Sequence, residues 1–163
     1  MKATGIVRRI DDLGRIVIPK EIRRTLHIRE SDPLEIFTDR EGQVILKKYS
    51  PIGEMTTFAK QYAESLAQVS GHATLIADRD QFIAVSGGCK QLLNKSVSRQ
   101  LEEKVNNRET VIAAKGDRNY VNIAEDIAVD YAWQLITPII CEGDIIGSVT
   151  VSYTHLTLPT TPY

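Results

Sequence analysis

Residues 4–29, TGIVRRIDDLGRIVIPKEIRRTLHIR, carry most of the information in this chain. Residues 5–10 alternate, with Ile6, Arg8 and Ile10 on one side and Val7 and Arg9 on the other, which predicts a strand. Asp12-Leu13-Gly14 reads as a turn, and residues 15–18 form a β-branched second strand. Pro19 suits the first turn of a helix, where its missing N–H costs nothing. In that helix Ile22 and Leu26 lie one turn apart and are expected inward, with Lys20, Arg23, Arg24 and His27 on the other side. Six arginines thread the stretch: Arg8, Arg9, Arg15, Arg23, Arg24 and Arg29. A planar guanidinium donates two parallel hydrogen bonds, which suits phosphates and guanine edges. So much arginine on short regular elements is most simply a nucleic-acid reader.

The charge distribution agrees. The 163 residues carry a net charge of −1, yet the first 48 sum to +3 and the remainder to −4. A basic beginning on an acidic remainder implies that only the first part meets polyanions. The hairpin expected next, residues 34–38 and 44–48 around Asp39-Arg40-Glu41-Gly42, completes a segment of about 48 residues. That is too small a core to stand comfortably without a disulfide or metal. Completion by a second copy, an obligate dimer, follows from that size alone.

Near Tyr49-Ser50-Pro51 the apolar period changes from two to 3.6. Ser50 caps a predicted helix starting at Pro51, with apolar positions Ile52, Met55, Phe58, Ala59, Tyr62, Ala63, Leu66 and Val69. Strands are expected at 73–77, 82–85, 110–114, 120–124, 134–140 and 145–151, with a polar helix near 98–106. The second part therefore reads as α+β with a mostly antiparallel sheet. The start lacks a signal-peptide core, no apolar run is long enough for a membrane span, and Cys89 and Cys141 lack metal-type spacing. These features predict a soluble, cytoplasmic protein with no metal and no cofactor.

The stretch Thr4-Gly5-Ile6-Val7-Arg8, then Asp11-Asp12-Leu13-Gly14-Arg15-Ile16-Val17-Ile18-Pro19, then Ile22-Arg23-Arg24-Thr25-Leu26 resembles the AbrB-type transition-state regulator domain over residues 1–50. The resemblance implies a swapped-hairpin β-barrel made by two chains, and double-stranded DNA as partner. It places DNA contacts at Arg8, Arg15, Arg23 and Arg24, with Arg9, Lys2, Lys20 and Lys47 as further candidates. Asp11 and Asp12 read as turn residues that can also pair with arginines and fix the fork directions. The stretch 78–87 (DRDQFIAVSG), with Pro138-Ile139, Gly143-Asp144 and Ile146-Gly147, makes residues 51–151 resemble a GAF-like domain. Regulators of late sporulation in endospore-forming bacteria join these two parts. The resemblance implies tetramerisation through the GAF-like part, a small-molecule ligand of unknown identity, and a closing C-terminal helix. Here residues 152–163, SYTHLTLPTTPY, instead resemble a translated sequencing-library adapter and are expected to be a non-native tail.

Other candidates have plainer readings. His27 and His72 stand alone, and Ser86-Gly87-Gly88 is a turn. Asn94-Lys95 lacks the Phe-Asp-Glu of cyclic-nucleotide GAF domains, and Trp133 and Tyr131 suit core packing. Cys89 has no resolving partner at redox spacing. No phosphate loop, zinc set or nucleophile triad is present, so no enzyme is expected. An AbrB-type antitoxin is the alternative to a DNA-binding regulator.

Overall fold

The computed structural model describes residues 4–153, and the chain divides into two compact units between Tyr49 and Ser50. In the first unit, helix α1 (Lys20–Thr25) follows a buried Pro19, and strands β1 (Leu34–Thr38) and β2 (Val44–Lys48) pair antiparallel from Leu34↔Lys48 to Thr38↔Val44.

The two strands expected over 5–10 and 15–18 do not form a ladder. The turn between them does close: Gly14 N donates to Asp11 O at 3.1 Å, and Asp11 N to Arg15 O at 3.0 Å. Gly14 takes φ +77°, which a side chain would resist. Pairing stops at that rung, and neither stretch joins the β1–β2 ladder. Val7, Ile10, Leu13, Ile16 and Val17 stay exposed as a result.

The inward assignment within α1 is also corrected. Leu26 is exposed, while Ile22 and Arg23 are both half-buried. Six residues make fewer than two turns, so the helix has no room for separate apolar and polar faces.

The second unit opens with α2 (Pro51–Glu54) and α3 (Thr56–Ser70), two helices where the period predicts one. The break falls at Met55. Gly53 lies so close to the capping Ser50 that an added Cβ would stand 2.8 Å from its Oγ, and Thr56 Oγ1 donates to the Gly53 carbonyl. Along α3 only Ala59 and Ala63 are buried; Phe58, Tyr62, Leu66 and Val69 are exposed, as is Met55 just before it.

Five antiparallel strands follow: β3 (Ala73–Ala77), β4 (Phe82–Ser86), β5 (Val111–Ala114), β6 (Trp133–Cys141) and β7 (Asp144–Tyr153), in the spatial order β4-β3-β7-β6-β5. One face carries Leu75, Phe82 and Ile136 against Leu101 and Val105 of α4 (Arg99–Asn106) and against Leu92 and Ile123. The other carries Ile76, Ile83 and Ala84 against Ala59 and Ala63 of α3. Each fully buried side chain of this size contributes about 1.5–3 kcal/mol. Gly147 lets β7 pass β3, since a Cβ there would sit 2.2 Å from the Ala77 carbonyl oxygen.

Residues 120–124 are not the strand that their apolar content predicts. Their backbone is satisfied by side chains and by the backbone of residues 97–98 instead. The Gln134 amide, oriented to meet its partners, donates to Val121 O at 3.0 Å and accepts from Val121 N. Asn122 N donates to Gln100 Oε1 at 2.9 Å, and Ser98 N to Ile123 O at 2.9 Å. Val121, Ile123 and Ala124 are thereby buried without a ladder.

Of the expected tail, residues 152 and 153 lie at the end of β7. Ser152 is fully buried and pairs with Ala73 and Gln134, and the Tyr153 ring lies 4.5 Å from that of His72. The rest of that tail lies outside the described residues. Among the described residues no helix is long and apolar enough to cross a membrane.

Candidate nucleic-acid interface

The Asp11–Gly14 turn leads into Arg15, and α1 carries Arg23 and Arg24. Asp11 organises the turn. Its Oδ1 accepts from Leu13 N at 3.0 Å and from Arg15 N at 2.7 Å, while its Oδ2 accepts from Arg15 Nε at 3.0 Å. The backbone N–H of Arg15 chiefly holds the Asp11 carboxyl below the usual carboxylate range; desolvation opposes it, and the Arg15 guanidinium and the Leu13 N–H add smaller lowering contributions. Arg15 itself remains exposed.

Helix α1 ends by a reciprocal pair of backbone bonds. Ile28 N donates to Arg23 O at 2.8 Å and His27 N to Arg24 O at 3.4 Å, with His27 in the left-handed region at φ 51°. This is the Schellman arrangement, with histidine where glycine is usual. Arg23 and Arg24 occupy the last turn, where the helix dipole favours cations. Arg24 is exposed; Arg23 is half-buried, and its Nε is enclosed with no hydrogen-bond partner.

The other candidates scatter. Arg8 and Arg9 are exposed on the unpaired stretch before the turn, and Lys20 is exposed at the start of α1. Lys47 is exposed on β2 opposite Glu35, an ordinary cross-strand charge pairing. Lys2 lies outside the described residues. Sequence reading passed over Lys48, whose Nζ donates to His27 O at 2.8 Å and approaches Asp32 Oδ2 at 3.8 Å. A contact spanning 21 residues leaves no local signal. Among the described residues no set of three metal-ligating side chains comes together.

Comparison with known proteins places these features. The second unit resembles the GAF domain of an Acinetobacter phosphoenolpyruvate-protein phosphotransferase, with a TM-score of 0.51 at 16% identity over 61% of this chain and 67% of that one. This shows the GAF fold. The AbrB transition state regulatory protein of Bacillus subtilis is 43% identical over 108 residues, covering 66% of this chain and 93% of the relative. The family model for the MazE antidote-toxin recognition antitoxin matches residues 7–54. The class is thus an AbrB-type unit followed by a GAF-fold unit.

A family model described as stage V sporulation protein T C-terminal, transcription factor, matches residues 54–159. Stage V sporulation protein T of Bacillus subtilis is 57% identical over 152 residues, covering 93% of this chain and 84% of the relative. The chain belongs to the stage V sporulation protein T family of transcription factors.

Proposed function

We propose that this protein is a sequence-selective DNA-binding transcriptional regulator of sporulation or transition-state genes, acting in the cytoplasm and catalysing no reaction. The carrying observation is the set Arg8, Arg15, Arg23 and Arg24, all within a unit with a net charge of +3. Arg15 and Arg24 are exposed at a turn and a helix end, where their guanidiniums can reach phosphate oxygens. Phosphate contacts supply most of the affinity, and a few guanidiniums reach base edges. Arg9, Lys2, Lys20 and Lys47 add phosphate contacts at the margin. Selection of bound duplexes from a random pool tests the reading. Arg15→Ala and Arg23→Ala each weaken binding to the selected duplex and reduce its salt slope by about 1. Unchanged affinity and slope in both variants would remove these residues from the interface.

The working unit is a homo-oligomer: residues 1–50 close a two-chain barrel, and the GAF-like part, residues 51–151 with the strand end through Tyr153, joins dimers into tetramers. Exposed Val7, Ile10 and Val17 in the first unit support the former. Met55 and, along α3, Phe58, Tyr62, Leu66 and Val69, exposed at three- and four-residue spacings, support the latter. Light scattering decides it: Phe58→Glu should leave dimers where the unaltered chain forms tetramers. For a small-molecule ligand the cavity lined by Asp78, Leu101, Val105 and Ser148 measures about 10 Å³, room for one water. A metabolite would have to part α4 from the sheet.

The MazE-type match over residues 7–54 favours a second reading, an antitoxin-like interaction module. A chain that rescues growth from a toxin encoded beside it, and selects no DNA, would make that reading primary.

A further inference from the structure

Asp11 grips both the backbone and the side chain of one residue. Its own N–H donates to Arg15 O at 3.0 Å, its Oδ1 takes the N–H groups of Leu13 and Arg15, and its Oδ2 takes Arg15 Nε. The backbone bonds and Oδ1 already close the turn. The side-chain contact joins groups 71% and 40% exposed, where water competes and an ion pair adds little stability. Its consequence lies elsewhere. A guanidinium has five N–H donors in one plane. Engaging Nε fixes that plane and leaves the Nη1–Nη2 edge outward. A fork ordered in advance loses less freedom on binding, and bidentate reading of a guanine edge depends on the direction of that plane. The adjacent negative charge also offsets part of the attraction of Arg15 for any phosphate. Among the described residues no carboxylate bonds the side chain of Arg8, Arg9, Arg23 or Arg24.

We propose that Asp11 is a positioning residue for base selectivity: it aims the Arg15 fork at a base edge and weakens its indiscriminate attraction to phosphate. The proposal rests on the DNA-binding reading of Arg15. It makes Arg15 the main reader of sequence and leaves most of the uniform phosphate affinity to the other arginines.

Asp11→Asn separates the roles. The asparagine Oδ1 still accepts from the two backbone N–H groups, while the amide nitrogen at the Oδ2 position cannot accept from Nε and carries no charge. Using the full chain, anisotropy titrations across a salt series compare a duplex selected by the unaltered protein with a scrambled duplex of the same length. Asp11→Asn should weaken binding to the selected duplex about tenfold, the scale of one misplaced bidentate contact. Binding to the scrambled duplex should tighten, with its salt slope steeper by about 1. In an Arg15→Ala background the same substitution should leave the selected-to-scrambled ratio unchanged. A ratio within twofold of the unaltered protein overturns the proposal, as does an equal loss in the Arg15→Ala background. Should Asp11→Asn not fold, Asp11→Ser decides instead: its hydroxyl oxygen can still accept from the turn N–H groups but offers no second oxygen to Arg15 Nε. Scrambled binding should persist with the preference lost, and a retained preference overturns the proposal. An unaltered protein that prefers no duplex refutes the DNA-binding reading itself; a preference that survives Asp11→Asn removes only the role of Asp11.

Discussion

Lys48 Nζ donates to the backbone carbonyl of His27 at 2.8 Å, tying the end of β2 to the residue that terminates the arginine-bearing helix α1. The same ammonium lies 3.8 Å from Asp32 Oδ2, whose carboxylate accepts from Arg29 N at 2.8 Å. The lysine thus fixes both ends of the short link between α1 and β1. Lys48→Met keeps the apolar stem and removes the donor. We expect a loss of about 1 kcal/mol in the first unit, read by chemical denaturation, with recovery in Lys48→Arg. A methionine variant as stable as the unaltered chain would show that the hairpin does not hold the helix end.

His27 occupies the left-handed C′ position of α1 at φ 51°, where a Cβ is a handicap. His27→Gly should therefore raise stability, by about 1 kcal/mol, with the Ile28–Arg23 and His27–Arg24 backbone bonds unchanged. His27→Val should lower it, because β-branching resists positive φ. Thermal melts of the two variants should move in opposite directions. A shift of the same sign in both would mean that the histidine ring, not the backbone, matters here.

Elements specified by local chemistry were legible in the sequence. The β1–β2 hairpin, β3 and α4 follow from period-two and period-3.6 patterns bounded by turn residues. The Asp11-to-Arg15 spacing across a Leu-Gly turn already allowed a carboxylate–guanidinium pair. What escaped depends on distant partners. Val121 and Ile123 look like strand residues, but the Gln134 and Gln100 side chains and Ser98 take the hydrogen bonds that a ladder would have used. Residues 5–10 and 15–18 have strand composition without a neighbour to pair with. Met55 fits the helical period, yet the packing of Gly53 under Ser50 ends the helix before it. Lys48 could not be singled out, because its acceptor is a backbone carbonyl set by the fold of α1.

Ser50 opens the second unit with one hydroxyl serving two bonds. It accepts from Gly53 N at 3.1 Å as the cap of α2 and donates to Asp78 Oδ2 at 3.3 Å. Asp78 Oδ1 is separately occupied by Asp80 N and Gln81 N, each at 2.8 Å. Ser50→Ala removes cap and bridge together, for a cost of about 1–2 kcal/mol. Ser50→Asp should restore the cap while placing a second carboxylate beside Asp78, so like charges meet and stability stays below that of serine. Denaturation midpoints should rank serine above both variants. Aspartate matching serine would show that Asp78 contributes nothing to the start of α2.

Tyr131 supplies a pH dependence whose sign follows from its surroundings. The side chain is 3% exposed, its hydroxyl meets Cys89 Sγ, and its backbone brackets the Tyr120 hydroxyl at 3.0 and 3.3 Å. Burial first, and the Cys89 contact second, push its phenol well above the ordinary value. The unfolded chain releases this proton near pH 10, while the folded chain keeps it. The unfolded state then binds fewer protons, so stability falls as pH rises. The contribution is complete below about pH 10 and is lost above it, by up to about 1.4 kcal/mol per pH unit for one proton. Other tyrosines and the lysines titrate in the same range, so the signal is the difference between the unaltered chain and Tyr131→Phe. That variant should be less stable at neutral pH by about 1 kcal/mol for the lost hydroxyl contact. From pH 10 to 11 it should lose stability less steeply, and the two curves should converge. Parallel curves across that interval would mean that the phenol ionises as readily in the folded chain as in the unfolded one, and that the packing around Tyr131 admits its charge.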